Sequence, residues 1–449
     1  MARSLVTLPE ELLSNVASFL DNDDLGSLRL TCKQLVVAAT HALFSLVRLC
    51  PSDDSLEFYH RILEHPEFSK HARHVELNTL DENESEEEEG GTELSDDFSK
   101  ALGLFKKLPN LTSATLRFSE NASSGDMWSE WPQDCDFRQP ILRQFFKTLS
   151  HPSASKINDI CIDNLQNINE TGFMQSPEAL KVMSRLKALR LYVVTEHHSA
   201  APELDLEMDE LHSFMAELRP LWLEPASSNL TTLVLYQTNF HFGYCPRLDI
   251  RGLRFPHLHT LALGNYVFSH DWQLEWLSSH SSTLRNLYLD DCIIVYYSRL
   301  FDCLIDADGY PVMLNGHGGT TRGPGTCQNR FYDLTWSRVF THLRTSLINL
   351  RHFRIGKSRR WDLNNNLFDR AVYEDLHIGI FPDRYMIFNM GIGPYQYTTS
   401  FAEQDGKGTE EGDKACTFSE RWVEQDTEDS NALNEVLKAI GQPILTSTN

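Results

Sequence analysis

The chain has 449 residues, room for two or three domains or for one elongated repeat array. Its 63 Asp and Glu outweigh 40 Lys and Arg, and the resulting net charge of −23 argues against binding a phosphate backbone or an anionic membrane, since both need clustered cations. Apolar residues make up 41 %, enough for a sizeable core, yet no apolar run is long enough to span a bilayer. The start, Met-Ala-Arg-Ser-Leu-Val, lacks the apolar core of a leader, and nine cysteines without paired spacing suit the reducing cytosol or nucleus.

The first elements fall within residues 8 to 43. Leu12, Leu13, Val16, Phe19 and Leu20 recur at helical spacing and form a stripe wider than one small helix needs for its own core. Asp21, Asn22, Asp23 and Asp24 supply caps for a second helix carrying Leu25 and Leu28, and Thr31 is expected to cap a third through Leu35, Val36, Ala39 and Leu43. Three short helices in about forty residues bury little surface alone, so the unit is expected to complete its core against a partner.

This stretch resembles the F-box, the motif that docks substrate receptors onto the Skp-type adaptor of cullin–RING ubiquitin ligases. The resemblance implies that Leu8, Pro9, Leu12, Val16, Leu20, Leu25, Leu28 and Cys32 face the adaptor, with the leucines and Val16 filling its apolar grooves. Leu8-Pro9 would open the first helix, where proline forfeits no hydrogen bond. The third helix departs from the pattern, having Leu35-Val36-Val37 where many F-boxes carry tryptophan.

After Pro51 a phrase recurs: an amphipathic helix, a short loop, then a Leu-x-x-Leu-x-Leu strand. The strands pivot on Ile157/Ile160/Ile162, Leu186/Leu189/Leu191, Leu230/Leu233/Leu235, Leu258/Leu261/Leu263, Leu284/Leu287/Leu289 and Leu350/Phe353/Ile355. Weaker copies sit at Ala72/Val75/Leu77 and Leu111/Ala114/Leu116. Helices are expected around Ile141, Phe145 and Leu149, around Leu211, Phe214, Met215 and Leu218, around Leu274 and Leu277, and around Val339, Leu343 and Leu347. Leu25/Leu28/Leu30 and Leu218/Leu221/Leu223 share the spacing but do not read as strands: the first lies among the N-terminal helices, and Pro220 interrupts the second.

Each unit leaves its strand half covered, so neighbours must stack. The pattern resembles a leucine-rich-repeat solenoid of the degenerate kind found in many fungal F-box proteins. The asparagine or cysteine expected after the last leucine appears at Cys292 and is off-register or absent elsewhere.

Two insertions interrupt the repeats. Residues 81–97 are acidic and too poor in apolar groups to fold, and residues 305–330, rich in Gly, Thr and Asp, should form a long loop. Ser85 and Ser95 precede acidic residues, a context that favours phosphorylation by acid-directed kinases. Beyond residue 360, Arg384 to Phe388 suggests one more strand, and residues 402–415 are polar and expected to be mobile. A last helix is expected with Ser430 as cap, Leu433, Val436, Leu437 and Ile440 on one face, and Gly441 with Pro443 as its stop. The fold class expected is therefore α/β: an F-box over residues 1–50, an irregular solenoid over 51–360, and a C-terminal capping region over 361–449.

Catalytic and ligand motifs fail on spacing. Gly356-Lys357-Ser358 lacks the earlier glycine of a phosphate loop, since Arg351 stands there, and reads as a strand end. Asp306-Ala307-Asp308-Gly309 lacks acidic ligands at both ends of a calcium loop, Leu304 and Asn315 occupying those places, and reads as a turn. No close Cys or His pair suits zinc and no nucleophile elbow is present, so neither cofactor nor catalytic residue is expected.

Residues between the strand leucines point to the open face, which nominates Arg190, Tyr192, Thr232, Tyr236, Asn286, Tyr288, Asp290 and Arg354 as target contacts. The function expected is a non-catalytic substrate receptor that binds a Skp-type adaptor, through it a cullin, and a protein target, in cytoplasm or nucleus. The alternatives are a scaffold that binds adaptor without cullin, and a free repeat protein whose N-terminal helices cap it.

Overall fold

The computed structural model describes residues 8–80, 95–122, 133–195, 202–238, 240–301, 305–312, 327–358, 376, 378–390, 394–398 and 418–445. Three helices open the chain: α1 (Glu10–Ala17), α2 (Asn22–Thr31) and α3 (Lys33–Leu43). Asp21 caps α2, its carboxylate accepting from the Asp24 N–H at 2.7 Å. Thr31 does not cap α3. It is the last residue of α2 and donates its hydroxyl to the Leu28 carbonyl at 2.7 Å, while Cys32 takes the cap position without a side-chain bond. Leu13, Ala17, Leu25, Leu35, Ala38 and Ala39 form the core of this bundle.

Parallel strands alternating with helices follow, and the described residues fall into two compact units. The first runs to Ala122 and takes in residues 133–165 and 175–186; the second holds residues 166–174 and the chain from Lys187 onward. In the first unit β1 (Leu46–Leu49), β2 (His74–Asn78), β3 (Ser113–Arg117) and β4 (Asp159–Gln166) pair in sequence order and in parallel. β1 was not expected. It begins two residues after Phe44, so the chain of α3 passes directly into the sheet. The Arg29 guanidinium lies over the Phe44 ring at 5.5 Å, and Phe44 stacks on Phe68 at 4.2 Å. These contacts clamp α2 and α3 to the first repeat.

In the second unit β5 (Ala188–Val194), β6 (Thr232–Gln237), β7 (Thr260–Gly264), β9 (Asn286–Asp290) and β12 (His352–Gly356) pair in parallel, neighbour to neighbour. All eight expected triplets thus lie at strands, and their apolar residues are buried beneath helices such as Cys135–Ser150, Asp209–Leu218 and Trp336–Ser346. Leu218/Leu221/Leu223 forms no strand, as Pro220 argued, and is helical.

Asn164, Asn265 and Asp291 each stand two residues past the last apolar strand position, with φ of 57°, 57° and 49°. Asn164 and Asn265 donate from Nδ2 to the carbonyls of Phe118 and Gln237, each at 2.8 Å. Asparagine tolerates the left-handed turn there and bonds the neighbouring strand's exit, which makes it a repeat mark one position earlier than the sequence pattern sought.

A second sheet in this unit joins β8 (Val267–Phe268), β10 (Ile293–Phe301), β11 (Cys327–Phe331), β13 (Tyr385–Met390) and β14 (Pro394–Thr398). The expected loop 305–330 is therefore partly structured: β11 occupies its end, and Ile305 bridges Pro311. Asp306 to Gly309 is a turn, with the Gly309 N–H on the Asp306 carbonyl at 3.0 Å and φ of 87° at Gly309. Of residues 81–97, 81–94 lie outside the described residues, as do Ser85 and residues 402–415. Ser95 caps the helix Asp96–Leu102, accepting from the Phe98 N–H at 3.2 Å, so that end of the insertion is folded.

The last helix is Phe418–Ala439, far longer than expected, and Ser430 lies inside it. It ends at Gly441 with φ of 76°, the left-handed stop that glycine permits. Beyond it, Gln442 accepts from the Phe353 N–H at 2.7 Å and donates to the Phe353 carbonyl at 3.2 Å. One side chain thereby satisfies backbone groups on β12 that a further strand would have paired.

Candidate functional site

Three apolar side chains on the N-terminal bundle face solvent at helical spacing. Leu12 is 48 % exposed, Val16 38 % and Phe19 82 %. They follow i, i+4, i+7, while Leu13 and Ala17 turn inward to the bundle core. Leu30 and Val37 are exposed as well. A three-helix bundle whose small core is already closed keeps such side chains in water only at a cost. Burying one on a partner contributes about 1.5–3 kcal/mol.

The eight residues expected to face an adaptor divide by depth. Pro9, Leu12 and Val16 are exposed. Leu8, Leu20, Leu28 and Cys32 are half-buried against the bundle core, and Leu25 is inside it, 3 % exposed. Phe19, Leu30 and Val37 were absent from that set. Phe19, in the turn just past α1, was legible from its helical spacing with Leu12 and Val16; Leu30 and Val37 carried no periodic signal.

The strand face of the second unit holds the residues expected to meet a target. Register places Arg190, Val234, Ala262, Tyr288 and Arg354 in one row, and Tyr192, Tyr236, Gly264, Asp290 and Gly356 in the next. Thr232 and Asn286 lie in a row with Thr260, and Asn286 donates to the Thr260 hydroxyl at 2.9 Å. Arg190, Thr232, Asn286 and Arg354 are half-buried, whereas Tyr192, Tyr236, Tyr288 and Asp290 are buried.

The burial has local causes. The Tyr236 ring lies over Gly264, where an added Cβ would come within 2.2 Å of it, and Tyr192 packs on Tyr236 at 5.3 Å. Asp290 accepts from the Ser358 N–H at 2.8 Å and hydroxyl at 2.6 Å. Burial raises its carboxyl above the ordinary range, and the bonds from Ser358 and Tyr236 oppose that rise. Arg354 donates to the Leu376 carbonyl at 2.9 Å.

Beside Asp290 lies a charged group. Lys357 approaches Asp291 at 3.4 Å and Asp383 at 3.9 Å, and His241 lies 4.0 Å from Asp291. Desolvation, with the Lys357 charge nearby, pushes His241 down to about 4. Among the described residues no cluster of three or more His, Cys, Asp or Glu side chains is placed to hold a metal ion. No helix among them is long and apolar enough to cross a membrane.

Residues 5–45 match the F-box-like family model. The match covers the three-helix bundle with its exposed stripe, and the chain carries an F-box-like domain there. An F-box domain implies binding to a Skp-type adaptor. Comparison of the whole chain with curated proteins returns no match.

Proposed function

We propose that the protein is a substrate receptor of a Skp–cullin–F-box ubiquitin ligase and performs no bond-making chemistry itself. Its F-box, residues 1–50, holds the adaptor through Leu12 and Val16, with Phe19 added, while Leu8, Pro9, Leu20, Leu25, Leu28 and Cys32 shape the surface from beneath or beside them. The parallel repeats, residues 51–360, are of leucine-rich-repeat type and hold a protein target, with residues 361–449 closing their end. Arg190, Thr232, Asn286 and Arg354 are the half-buried candidates for target contact. The work takes place in cytoplasm or nucleus, where adaptor and cullin reside.

The observation that carries this reading is the exposed Leu12/Val16/Phe19 stripe within the F-box-like segment. Direct passage of α3 into β1 supports it further, because a receptor works by proximity: holding a target beside a charged ubiquitin carrier raises the local lysine concentration. An F-box clamped to its first repeat keeps that placement defined.

Co-purification from cells tests the reading. Wild type should carry adaptor and cullin, and Leu12→Asp with Phe19→Asp should lose both by at least about 100-fold, because a buried, unpaired carboxylate is costly. Both positions are solvent-exposed, so unchanged circular dichroism should accompany the loss. Adaptor without cullin would identify a scaffold that acts without ubiquitination. Absence of adaptor from the wild type would overturn the receptor reading.

A further inference from the structure

The residues just before the strands of the second unit form a ladder. The Thr231 N–H donates to the Lys187 carbonyl at 2.7 Å, His259 to Thr231 at 2.8 Å, Arg285 to His259 at 2.8 Å, and Arg351 to Arg285 at 2.7 Å. Lys187, Thr231, His259, Arg285 and Arg351 therefore stand side by side along the edge where β5, β6, β7, β9 and β12 begin. Lys187, His259, Arg285 and Arg351 are exposed, and none of them pairs with a carboxylate among the described residues.

Three features set this row apart. The chain carries 63 acidic against 40 basic residues, yet the ladder holds two arginines, a lysine and a histidine and no acid. Several other arginines of this unit pair with carboxylates: Arg247 with Asp249, Asp306 and Asp308, Arg338 with Asp271, and Arg384 with Asp426 and Asp429. The fold does not demand cations at the position. In the first unit the equivalent ladder runs Ser45, Arg73, Thr112 and Asn158, mostly uncharged.

We propose that this row is a docking surface for an acidic, extended segment of the target protein, an inference that rests on the receptor reading above. Adjacent strands lie roughly 4.8 Å apart, so five of them spread the row over about 19 Å. An extended peptide rises about 3.3 Å per residue, so some six residues laid across the strands would meet it. Guanidinium groups suit carboxylates because they offer paired donors in a planar fork. Charge complementarity selects an acidic protein segment. A nucleic acid would bring a long phosphate run against a molecule of net charge −23, which Lys187, Arg285 and Arg351 would not offset.

The test uses the full chain with its adaptor. A fluorescein-labelled ten-residue peptide rich in glutamate is titrated by fluorescence anisotropy, beside a glutamine version and a single-stranded RNA decamer. Wild type should bind the glutamate peptide more tightly than the other two probes, with affinity falling as salt rises. Lys187→Glu with Arg285→Glu and Arg351→Glu should weaken that binding at least about 30-fold, and Arg285→Gln with Arg351→Gln by several-fold, with melting temperatures near wild type.

Equal binding of the glutamate and glutamine peptides, equal binding of RNA, or undiminished binding by the glutamine variant would overturn the proposal. Should the charge-reversal variant misfold, the glutamine variant still decides. Adaptor retention is scored in the same preparations. Adaptor lost from the wild type sinks the receptor reading, while the peptide titrations still decide the row. Adaptor retained with peptide binding unaltered by the variants sinks the row alone.

Discussion

Gly264 lies opposite Tyr236 in the register of β6 and β7, and the aromatic ring occupies the volume that any other residue's Cβ would claim. Gly264→Ala should therefore destabilise the protein by about 1–3 kcal/mol in denaturant unfolding, the usual cost of overpacking a filled site. In a Tyr236→Ala background the same change should cost under about 1 kcal/mol, which identifies the ring as the cause. His241 is a second residue whose role is its environment. Its folded-state pKa lies near 4, below the ordinary 6.5, so it takes up a proton less readily folded than unfolded. Its contribution is present above pH 6.5 and is lost as pH falls toward 4. Asp290 and Asp291, raised by burial, titrate in the opposite sense, since protonation favours their folded state. His241→Gln should accordingly make the acid-side loss of stability shallower by about 3 kcal/mol between pH 6.5 and 4, read from denaturant midpoints at successive pH values. An unchanged slope would remove His241 from the account.

The C-terminal helix Phe418–Ala439 shows how an element is anchored and why its start escapes a reading of periodicity. Leu433, Val436 and Leu437 are buried, and one turn earlier the same face presents Asp429, also fully buried. Its carboxylate accepts from Arg384 Nε at 3.0 Å, the Tyr385 hydroxyl at 2.9 Å and the Ser337 N–H at 2.7 Å, while Arg384 also pairs with Asp426. Apolar periodicity stops where the face turns ionic, so the pattern placed a cap at Ser430 in the middle of the helix. Asp429→Ala should cost about 3–5 kcal/mol, because a guanidinium buried in the protein then loses its principal partner. Hydrogen exchange should report the loss first along residues 425–439. Undiminished protection there would show that apolar packing alone holds the helix. The same logic governs the strands: eight triplets were legible because their apolar residues are buried on one face, and β1 carries the same buried spacing at Phe44, Val47 and Leu49, masked because Phe44 directly follows the helical run that ends at Leu43.

At the scale of the molecule, the F-box-like bundle and the alternation of helix and parallel strand were legible from the sequence, since both express themselves as local periodicity. Periodicity grouped Leu12, Leu13, Val16, Phe19 and Leu20 in one stripe, and the structure exposes Leu12, Val16 and Phe19 while burying Leu13. Leu25, nominated for the adaptor, lies in the bundle core at 3 % exposure, because helical spacing tells which residues share a face but not which face a neighbouring helix covers. The tyrosines of the strand face carry the same lesson. Alternation correctly placed Tyr192, Tyr236 and Tyr288 opposite the leucines, yet lateral packing buries them, and Asp290 is closed over by Ser358 from 68 residues away. The ladder from Lys187 through His259 and Arg285 to Arg351 joins residues far apart in the chain and exists only because the strands lie side by side. By itself the sequence determined the repeated element and the N-terminal bundle, because each is written in residues a few positions apart. Only the tertiary structure decided which polar and aromatic residues remain in water, because burial and charge clustering depend on contacts between segments far apart in the chain.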